Sequence, residues 1–254
     1  MIDLHTHLLP GVDDGSPRLD VSLDVLRRFA ADGVEVVVCT PHLRASVAAD
    51  APDARHAAIF AALEEAVAGA PTLRRGWEIM LDAPGVDLSA PLLALGGSSA
   101  VLVEFPRTGV PIHATEELAR LRGTGIVPVL AHPERYWGCS PAQVRAWRQA
   151  GAVMQVDAIA LLAGGQMGEL AHALLEEGLA DCLASDNHGD TRSLGAVRDW
   201  LAEQGAEEHA ILLTEINPRR VLEGAPVLPV PPVRVKRGLL RRFRELVYGR
   251  RYGR

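Results

Sequence analysis

Imidazole and carboxylate side chains recur at one kind of place in this sequence, at or just after short apolar segments. The histidines in this position are His5, His7, His42, His132 and His188, and the matching acidic residues are Asp13, Asp14, Glu78, Glu104 and Asp186. Neutral imidazole and carboxylate together suit zinc, manganese and iron. Two such cations can lower the pKa of water and clamp a phosphate. The residue types therefore indicate metal-assisted hydrolysis of a phosphoester.

Each of these signals is weak alone, and the joint pattern is what predicts a multi-metal site. His5 and His7 would point to the same side of an extended segment, because side chains alternate along a strand with period two. Glu78 and Glu104 lie in apolar segments, where an unpaired buried carboxylate would be costly. We expect the other histidines at the surface, on helices or loops; they are His56, His113, His172 and His209.

Strand and helix patterns alternate along most of the chain. Candidate strands cover residues 2–5, 35–40, 75–80, 100–105, 127–131, 153–156 and 181–185, and candidate helices cover residues 19–31, 53–68, 114–121, 141–150 and 167–177. Strand, helix and strand repeated about seven times predicts a parallel α/β barrel, with an open doubly wound sheet as the alternative. Parallel barrels build their active sites at the carboxyl ends of their strands, where the histidines and acids above would lie.

Composition and charge restrict the other possibilities. The net charge is −6, although nine basic residues and one acid lie between Arg234 and Arg254. The rest of the chain is therefore strongly acidic, and we expect no nucleic-acid binding. Three widely spaced cysteines and an N-terminus without signal-peptide features predict a cytoplasmic protein.

The C-terminal region has its own pattern. Four prolines follow Gly224, so we place the end of a catalytic domain at residue 225 and a linker and tail at residues 226–254. Leu239, Phe243 and Leu246 share one helical face opposite basic residues. That pattern is typical of a helix on an anionic membrane surface or an acidic partner, and a solvated tail is the alternative.

Several longer motifs make the sequence recognisable. They are Ile2-Asp3-Leu4-His5-Thr6-His7-Leu8-Leu9-Pro10-Gly11-Val12-Asp13-Asp14-Gly15, Thr40-Pro41-His42, Val103-Glu104-Phe105-Pro106, Ala131-His132-Pro133-Glu134-Arg135-Tyr136, Ala184-Ser185-Asp186-Asn187-His188 and Asn217-Pro218-Arg219-Arg220-Val221-Leu222-Glu223-Gly224. With them the chain resembles the PHP (polymerase and histidinol phosphatase) superfamily. It is most similar to the bacterial manganese-dependent protein-tyrosine-phosphatase branch linked to capsular and exopolysaccharide synthesis.

The resemblance implies a fold and a site. The fold is a distorted seven-stranded (β/α) barrel that holds three divalent ions, most often manganese, with iron or zinc as alternatives. Carried over by position, the metal ligands are His5, His7, Asp14, His42, Glu78, Glu104, His132, Asp186 and His188. The family's phosphate-binding arginines map onto Arg135 and, through a loop that looks one residue shorter here, onto Arg192.

The implied activity is hydrolysis of phosphotyrosine on a protein, with a bacterial tyrosine kinase of exopolysaccharide synthesis as the expected partner. Two segments depart from the family pattern: residues 43–49 lack a polar and aromatic loop, and Gln155-Val156-Asp157-Ala158 stands where the family tends to carry a smaller polar segment. Three alternatives stay open: a small-molecule phosphatase such as one acting on histidinol phosphate, an amidohydrolase-like enzyme that cleaves C–N bonds, and a non-catalytic regulator that binds a kinase.

A competing phosphatase motif is present but has a structural interpretation. Cys139 and Arg145 have the Cys-x5-Arg spacing of cysteine-based tyrosine phosphatases. However, Ser140 and Pro141 form a helix-start signal at that point, with Gln143 three residues after the serine. We therefore expect a capped helix after Cys139 and no role for its thiol in catalysis.

Overall fold

The computed structural model describes residues 1–67, 69–106 and 109–236. Its strands are β1 (Ile2–Thr6), β2 (Val36–Cys39), β3 (His42–Arg44), β4 (Thr72–Arg75), β5 (Glu78–Met80), β6 (Ala100–Glu104), β7 (Val127–Ala131), β8 (Val153–Asp157) and β9 (Cys182–Ala184). Its α-helices are α1 (Leu19–Asp32), α2 (Asp53–Val67), α3 (Ala114–Gly123), α4 (Pro141–Gln149), α5 (Ala158–Leu162), α6 (Gly165–Glu176), α7 (Leu194–Glu203), α8 (Glu207–Ile211) and α9 (Asn217–Leu222).

The strands form two parallel sheets, in the orders β1-β2-β4 and β3-β5-β6-β7-β8-β9. Two residues separate β2 from β3, and two separate β4 from β5. The two bent segments pair with each other along both halves: β2 pairs with β4, and β3 pairs with β5. Pro41 lies at the first bend and offers no backbone N–H to a ladder. The nine strands therefore belong to seven chain segments.

The outer ends of the two sheets meet between β1 and β9. His7 N donates to Asn187 O at 2.8 Å, and Asp186 N donates to His5 O at 3.0 Å. These bonds join the edges of the two sheets, and the α/β fold with parallel strands predicted from the sequence is confirmed. The strand pattern was wrong in two details: residues 75–80 are not one strand, and the short strand β3 was not predicted.

Helix boundaries follow local signals in the sequence. Helix α1 buries Val25, Leu26 and Phe29 on one face and ends at Gly33, whose φ of 87° is left-handed. Helix α4 begins after Ser140, whose hydroxyl accepts a hydrogen bond from Gln143 N at 3.4 Å. The capped helix predicted after Cys139 is therefore confirmed.

Apolar residues fill the barrel below the site. Ala100 and Leu102 of β6 belong to one buried cluster with Val129 of β7 and Cys182 of β9. A larger cluster lies between the strands and the helices. Because side chains alternate along a strand, the face of β6 that carries Ala100 and Leu102 ends in Glu104. The apolar filling thus leads directly to a carboxylate at the carboxyl end of the barrel.

Two histidines expected at the surface are buried instead. His56 stacks on Trp77 with ring centroids 4.8 Å apart, and His172 stacks on Trp200 at 5.7 Å. His172 Nε2 also lies 2.8 Å from Leu161 O. The prediction was wrong because each imidazole covers an indole that lies far from it in sequence.

The proline-rich segment lies against the barrel as far as Lys236. Asn217 Nδ2 donates to Leu228 O at 2.9 Å, and Val230 and Val235 are buried. The predicted basic helix falls within residues 237–254, outside the described residues, so its contact with a membrane or partner stays a prediction. Among the helices that the structure describes, none combines the length and apolar character needed to cross a membrane.

Candidate metal centre

All nine side chains predicted as metal ligands lie together at one edge of the sheets. His42 and Glu78 begin β3 and β5, just after the two bends, and the others lie near or after the carboxyl ends of strands. Their donor atoms form four overlapping groups, each within 4.8 Å: His7, Asp14, His42 and His188; His5, Glu78 and His132; His5, His7 and Asp186; and His42, Glu78 and Glu104. Sharing between groups is what a multi-metal cluster requires, because one carboxylate can bridge two cations.

The end of β1 supplies the deepest donors. His5 and His7 are fully buried, and their Nε2 atoms lie 3.1 Å apart. Asp186 Oδ1 lies 3.3 Å from His5 Nε2 and 3.2 Å from His7 Nε2. Three donor atoms from two distant parts of the chain therefore face one another in the interior.

Glu78, at the start of β5, lies at the centre of the cluster. Its Oε1 is 2.9 Å from His132 Nε2 and 3.3 Å from His5 Nε2. Its Oε2 is 2.8 Å from His42 Nδ1 and 3.3 Å from His7 Nε2. Both carboxylate oxygens therefore face imidazole nitrogens, the arrangement expected of a bridging ligand.

The more exposed donors lie on the solvent side. His42 Nε2 is 3.1 Å from Asp14 Oδ1, and His188 Nε2 is 3.5 Å from the same oxygen. The Asp14 side chain is 63% exposed, so this group is open to solvent. Glu104 is more remote, with its nearest imidazole nitrogen, His132 Nε2, at 3.7 Å from Oε2.

Two of the donors have backbone conformations that L-residues rarely adopt. His132 has φ 36° and Asp186 has φ 47°, both in the left-handed region. Such conformations cost about 1–3 kcal/mol each and persist where the surrounding structure fixes them. At Gly15, after the Asp13-Asp14 pair, a Cβ atom would lie 2.2 Å from His7 O, so only glycine fits there.

Two residues that orient the donors were not predicted for those roles. Asp13 Oδ2 lies 2.8 Å from His7 Nδ1, and its Oδ1 accepts from Gly15 N at 3.0 Å. Gln155 Oε1 lies 2.9 Å from His5 Nδ1. A partner on Nδ1 fixes the ring and leaves Nε2 free to bind a cation. Period-two alternation from Asp157 along β8 could have identified Gln155.

Opposite charges stabilise each other in the cluster. Burial alone would lower the pKa of His5, but the carboxylates of Glu78 and Asp186 raise it to about 9. Burial would likewise raise the pKa of Glu78, but the imidazoles of His5, His132 and His42 hold it well below its usual value. Burial and the neighbouring Glu78 raise the pKa of Glu104. His5 and Glu78 therefore each favour the charged form of the other.

The donor set fits divalent cations. Around a tetrahedral cation with bonds of about 2.1 Å, neighbouring donors lie about 3.4 Å apart, close to the 3.1–3.3 Å among His5, His7 and Asp186. Among the described residues, Asp186 Oδ1 and Glu78 Oε2 are buried without a hydrogen bond of good geometry. Cations bound by this donor set would give these two oxygens partners.

A cavity of about 360 Å³ opens above the cluster and includes Arg135 in its lining. Arg135 Nη2 contacts Asp157 Oδ2 and lies 2.6 Å from Asp186 Oδ2. Arg192 reaches the same Asp186 oxygen with Nη1 at 3.3 Å, and its Nε lies 2.8 Å from Asp190 Oδ2. Both predicted arginines therefore lie beside the cluster, and Arg135 is the one that lines the cavity.

Cys139 takes no part in this site. It is absent from the lining of the cavity, and it lies just before helix α4. Burial raises the pKa of its thiol to about 12, so the reactive thiolate is scarce at neutral pH. The interpretation of the Cys-x5-Arg spacing as coincidental agrees with this geometry.

A comparison with known protein families identifies the family of this chain. The family model "Capsular polysaccharide synthesis, CpsB/CapC" matches residues 1–223. The chain belongs to the CpsB/CapC family. The family predicted from the sequence motifs is therefore confirmed, and the match includes every residue of the cluster.

Two CpsB/CapC relatives align over most of the chain. Tyrosine-protein phosphatase YwqE of Bacillus subtilis (strain 168) is 30% identical over 252 residues, covering 93% of this chain and 97% of YwqE. Tyrosine-protein phosphatase CpsB of Streptococcus pneumoniae is 28% identical over 239 residues, covering 87% of this chain and 98% of CpsB. The names of both relatives state the tyrosine-phosphatase activity that the motifs predicted for this chain.

Solved structures extend the comparison. A chain from the crystal structures of YwqE and CpsB, described as unique metal-dependent tyrosine phosphatases, superposes with a TM-score of 0.75 at 25% identity. The match covers 93% of this CpsB/CapC chain and 100% of that chain. A β-aspartyl dipeptidase of Fervidobacterium islandicum AW-1 shares the fold alone, with a TM-score of 0.55 at 18% identity over 87% of this chain and 72% of that chain.

Proposed function

We propose that this protein is a metal-dependent phosphoric monoester hydrolase that acts on phosphotyrosine in proteins. One observation carries the proposal: six of the nine imidazole and carboxylate side chains of the cluster line a cavity that Arg135 also lines. Cationic metals and a guanidinium beside one cavity favour a phosphate dianion over a neutral amide. This argues against the amidohydrolase-like alternative, whose fold the protein nevertheless shares.

We infer that the cluster holds three divalent cations. The ligands would be the nine donors described above, with Glu78 shared between neighbouring ions. Nitrogen and oxygen donors without thiolate suit manganese, and they also accept iron or zinc. The relative described as a metal-dependent tyrosine phosphatase supports the dependence on metal, without specifying these residues.

The chain's own residues would prepare the phosphate for attack. Bound divalent cations supply Lewis acidity, which lowers the pKa of water and offsets charge on phosphate oxygens. Arg135 would orient the phosphate through paired N–H donors and stabilise the negative charge that develops on it. A tyrosine leaving group has a pKa of about 10, so its departure does not demand a strong general acid.

Two exposed apolar side chains that follow cavity-lining residues in the sequence would suit a polypeptide substrate. Trp137 directly follows the cavity-lining Tyr136 and is 83% exposed. Ile112 lies three residues after the cavity-lining Gly109 and is 94% exposed. We propose that these two side chains contact the polypeptide around the phosphotyrosine. A tyrosine kinase of exopolysaccharide synthesis, phosphorylated on its own tyrosines, is the partner that we propose.

Substrate competition tests this proposal against the small-molecule alternative. With manganese present, we expect faster hydrolysis of a phosphotyrosyl peptide than of histidinol phosphate at equal concentration. Trp137→Ala should raise the KM for the peptide and leave hydrolysis of p-nitrophenyl phosphate unchanged. A preference for histidinol phosphate would overturn the assignment of the substrate.

Chelation tests the proposal against a non-catalytic regulator. Removal of metal should abolish hydrolysis of both the peptide and p-nitrophenyl phosphate, and manganese should restore it. Absence of turnover in a manganese-loaded, folded protein would mean that the cluster serves binding alone.

A further inference from the structure

Two carboxylates contact Arg135, and they differ in their other contacts. Its Nη2 contacts Asp157 Oδ2 and lies 2.6 Å from Asp186 Oδ2. Asp186 also directs Oδ1 toward the imidazoles of His5 and His7. Asp157 has no imidazole partner in the described cluster and belongs to none of the four donor groups. Asp157 is therefore the carboxylate that serves Arg135 rather than the cations.

The contacts of Arg135 leave a defined set of donors for a substrate. Both carboxylates meet the same nitrogen, Nη2. In residues 1–67, 69–106 and 109–236, neither Nη1 nor Nε of Arg135 makes a hydrogen bond, whereas Nη2 donates to Asp157. A guanidinium presents these nitrogens in a fixed planar fork. Anchoring at Nη2 therefore sets the direction in which the remaining N–H groups point.

Asp157 is itself rigidly fixed. It is the last residue of β8, and its side chain is fully buried. Its Oδ1 accepts from Ile159 N at 3.2 Å and caps α5, while its backbone N donates to Glu134 Oε1 at 2.9 Å. A strand end, a helix start and a neighbouring acid thus hold this carboxylate in one position.

We infer that Asp157 is a positioning residue, which fixes the guanidinium of Arg135 for two-pronged contact with the phosphate. The inference rests on the proposed hydrolase function. Only a carboxylate can hold Nη2 by charge while it caps α5 with its second oxygen.

A double-mutant cycle between Asp157 and Arg135 tests the inference. The variants are Asp157→Ala, Arg135→Ala and their combination, with Asp157→Asn added because an amide oxygen can still cap α5. The readouts are kcat and KM for p-nitrophenyl phosphate with manganese, and the Kd for inorganic phosphate. Manganese content and Tm are measured for every variant.

Asp157→Ala should lower kcat/KM by about 100-fold and weaken phosphate binding, since a misplaced binding group costs about that much. With Arg135→Ala already present, the same substitution should change kcat/KM and the phosphate Kd by less than threefold. Asp157→Asn should lie between Asp157→Ala and the unmodified protein. These results are expected at unchanged manganese content.

A matched control is available at the opposite end of the barrel. Asp181 precedes β9, is buried, and pairs with Arg148 through Oδ1 at 2.8 Å. Asp181→Asn perturbs a comparable buried pair, so it should lower Tm about as much as Asp157→Asn and leave the phosphate Kd unchanged.

Two outcomes would overturn the inference. In the first, Asp157→Ala lowers kcat/KM by the same factor with and without Arg135. In the second, loss of manganese accounts for the whole decrease in kcat/KM. Failure of the hydrolase proposal looks different. The unmodified, manganese-loaded protein would then show no turnover, while the phosphate Kd would still decide whether Asp157 acts through Arg135.

Discussion

Asp186 connects the candidate metal centre with Arg135. Its Oδ2 lies 2.6 Å from Arg135 Nη2, and its Oδ1 lies 3.2 Å from His7 Nε2. One carboxylate therefore contacts both the donors for cations and the donor for phosphate. Positive residues next to it hold its pKa below the usual value, although burial opposes this. The neighbouring positive residues therefore favour the charged form of Asp186.

Removing a donor from the cluster should abolish activity without unfolding the chain. We expect Asp186→Ala and His42→Ala to lower kcat for p-nitrophenyl phosphate by about 1000-fold or more, since residues that act as one unit cause losses of this size. Far-UV circular dichroism should be unchanged and manganese content reduced. Asp24→Asn, at an exposed pair with Arg27, is the control and should behave like the unmodified protein. Full activity in Asp186→Ala would contradict the assignment of the site.

The two arginines should differ in importance. Arg135→Ala removes a guanidinium from the cavity lining, and loss of such a donor costs about 100-fold or more in kcat. Arg192 is engaged by Asp190 and Asp186, and we expect a loss of about tenfold for Arg192→Ala. Steady-state kinetics with p-nitrophenyl phosphate measure both. A larger loss in Arg192→Ala would show that the second arginine is the main phosphate ligand.

Stability of the metal-free protein should depend on pH through the imidazoles. The pKa of His5, raised to about 9 by Glu78 and Asp186 against the effect of burial, exceeds its unfolded value of about 6.5. This contribution to stability is complete below about pH 6.5 and is lost as the pH rises through about 9. Thermal unfolding in chelator should therefore show a falling Tm over that range.

Manganese should reverse this trend. Cations bind deprotonated imidazole, so binding releases protons and becomes more favourable as the pH rises. The increase in Tm on adding manganese should accordingly be larger at pH 8.5 than at pH 6.5. Equal increases at both pH values would argue against imidazole ligands.

Cys139→Ser should leave activity intact. The thiol lies outside the cavity lining, and burial raises its pKa to about 12. Turnover of p-nitrophenyl phosphate and its dependence on manganese should both match the unmodified protein. Loss of activity with the metal still bound would restore the cysteine-based mechanism.

Deleting residues 237–254 should spare the hydrolysis of a small phosphoester. The deletion keeps Val235, which is buried, and Lys236, whose backbone N donates to Gln204 Oε1 at 2.8 Å. The measurement is kcat/KM for p-nitrophenyl phosphate, with Tm as the control for folding. Loss of turnover in a folded truncation would place the tail in the active site and move the proposed domain boundary.

The sequence pattern predicted the parallel α/β architecture, and the family resemblance named the side chains that the structure brings together. Strand periodicity places Glu104 on the face of β6 that carries Ala100 and Leu102, and parallel strands bring their carboxyl ends to one edge. Helix starts and ends, such as Ser140 and Gly33, depend on neighbouring residues and were equally predictable. These features are local or follow from topology, so a linear pattern contains them.

Only the tertiary structure decided how the donors meet. Strict alternation in β1 would place the side chains of Leu4 and His5 on opposite faces of the strand. However, the register shifts between Asp3 and Thr6, and the side chain of His5 contacts Glu78. Likewise, nothing local to Asp157 shows that it holds Arg135, or that His172 covers Trp200. Such contacts depend on bends, register and packing between segments far apart in the chain. The sequence therefore determined which chemical groups reach this edge, and the folded barrel decided which of them touch.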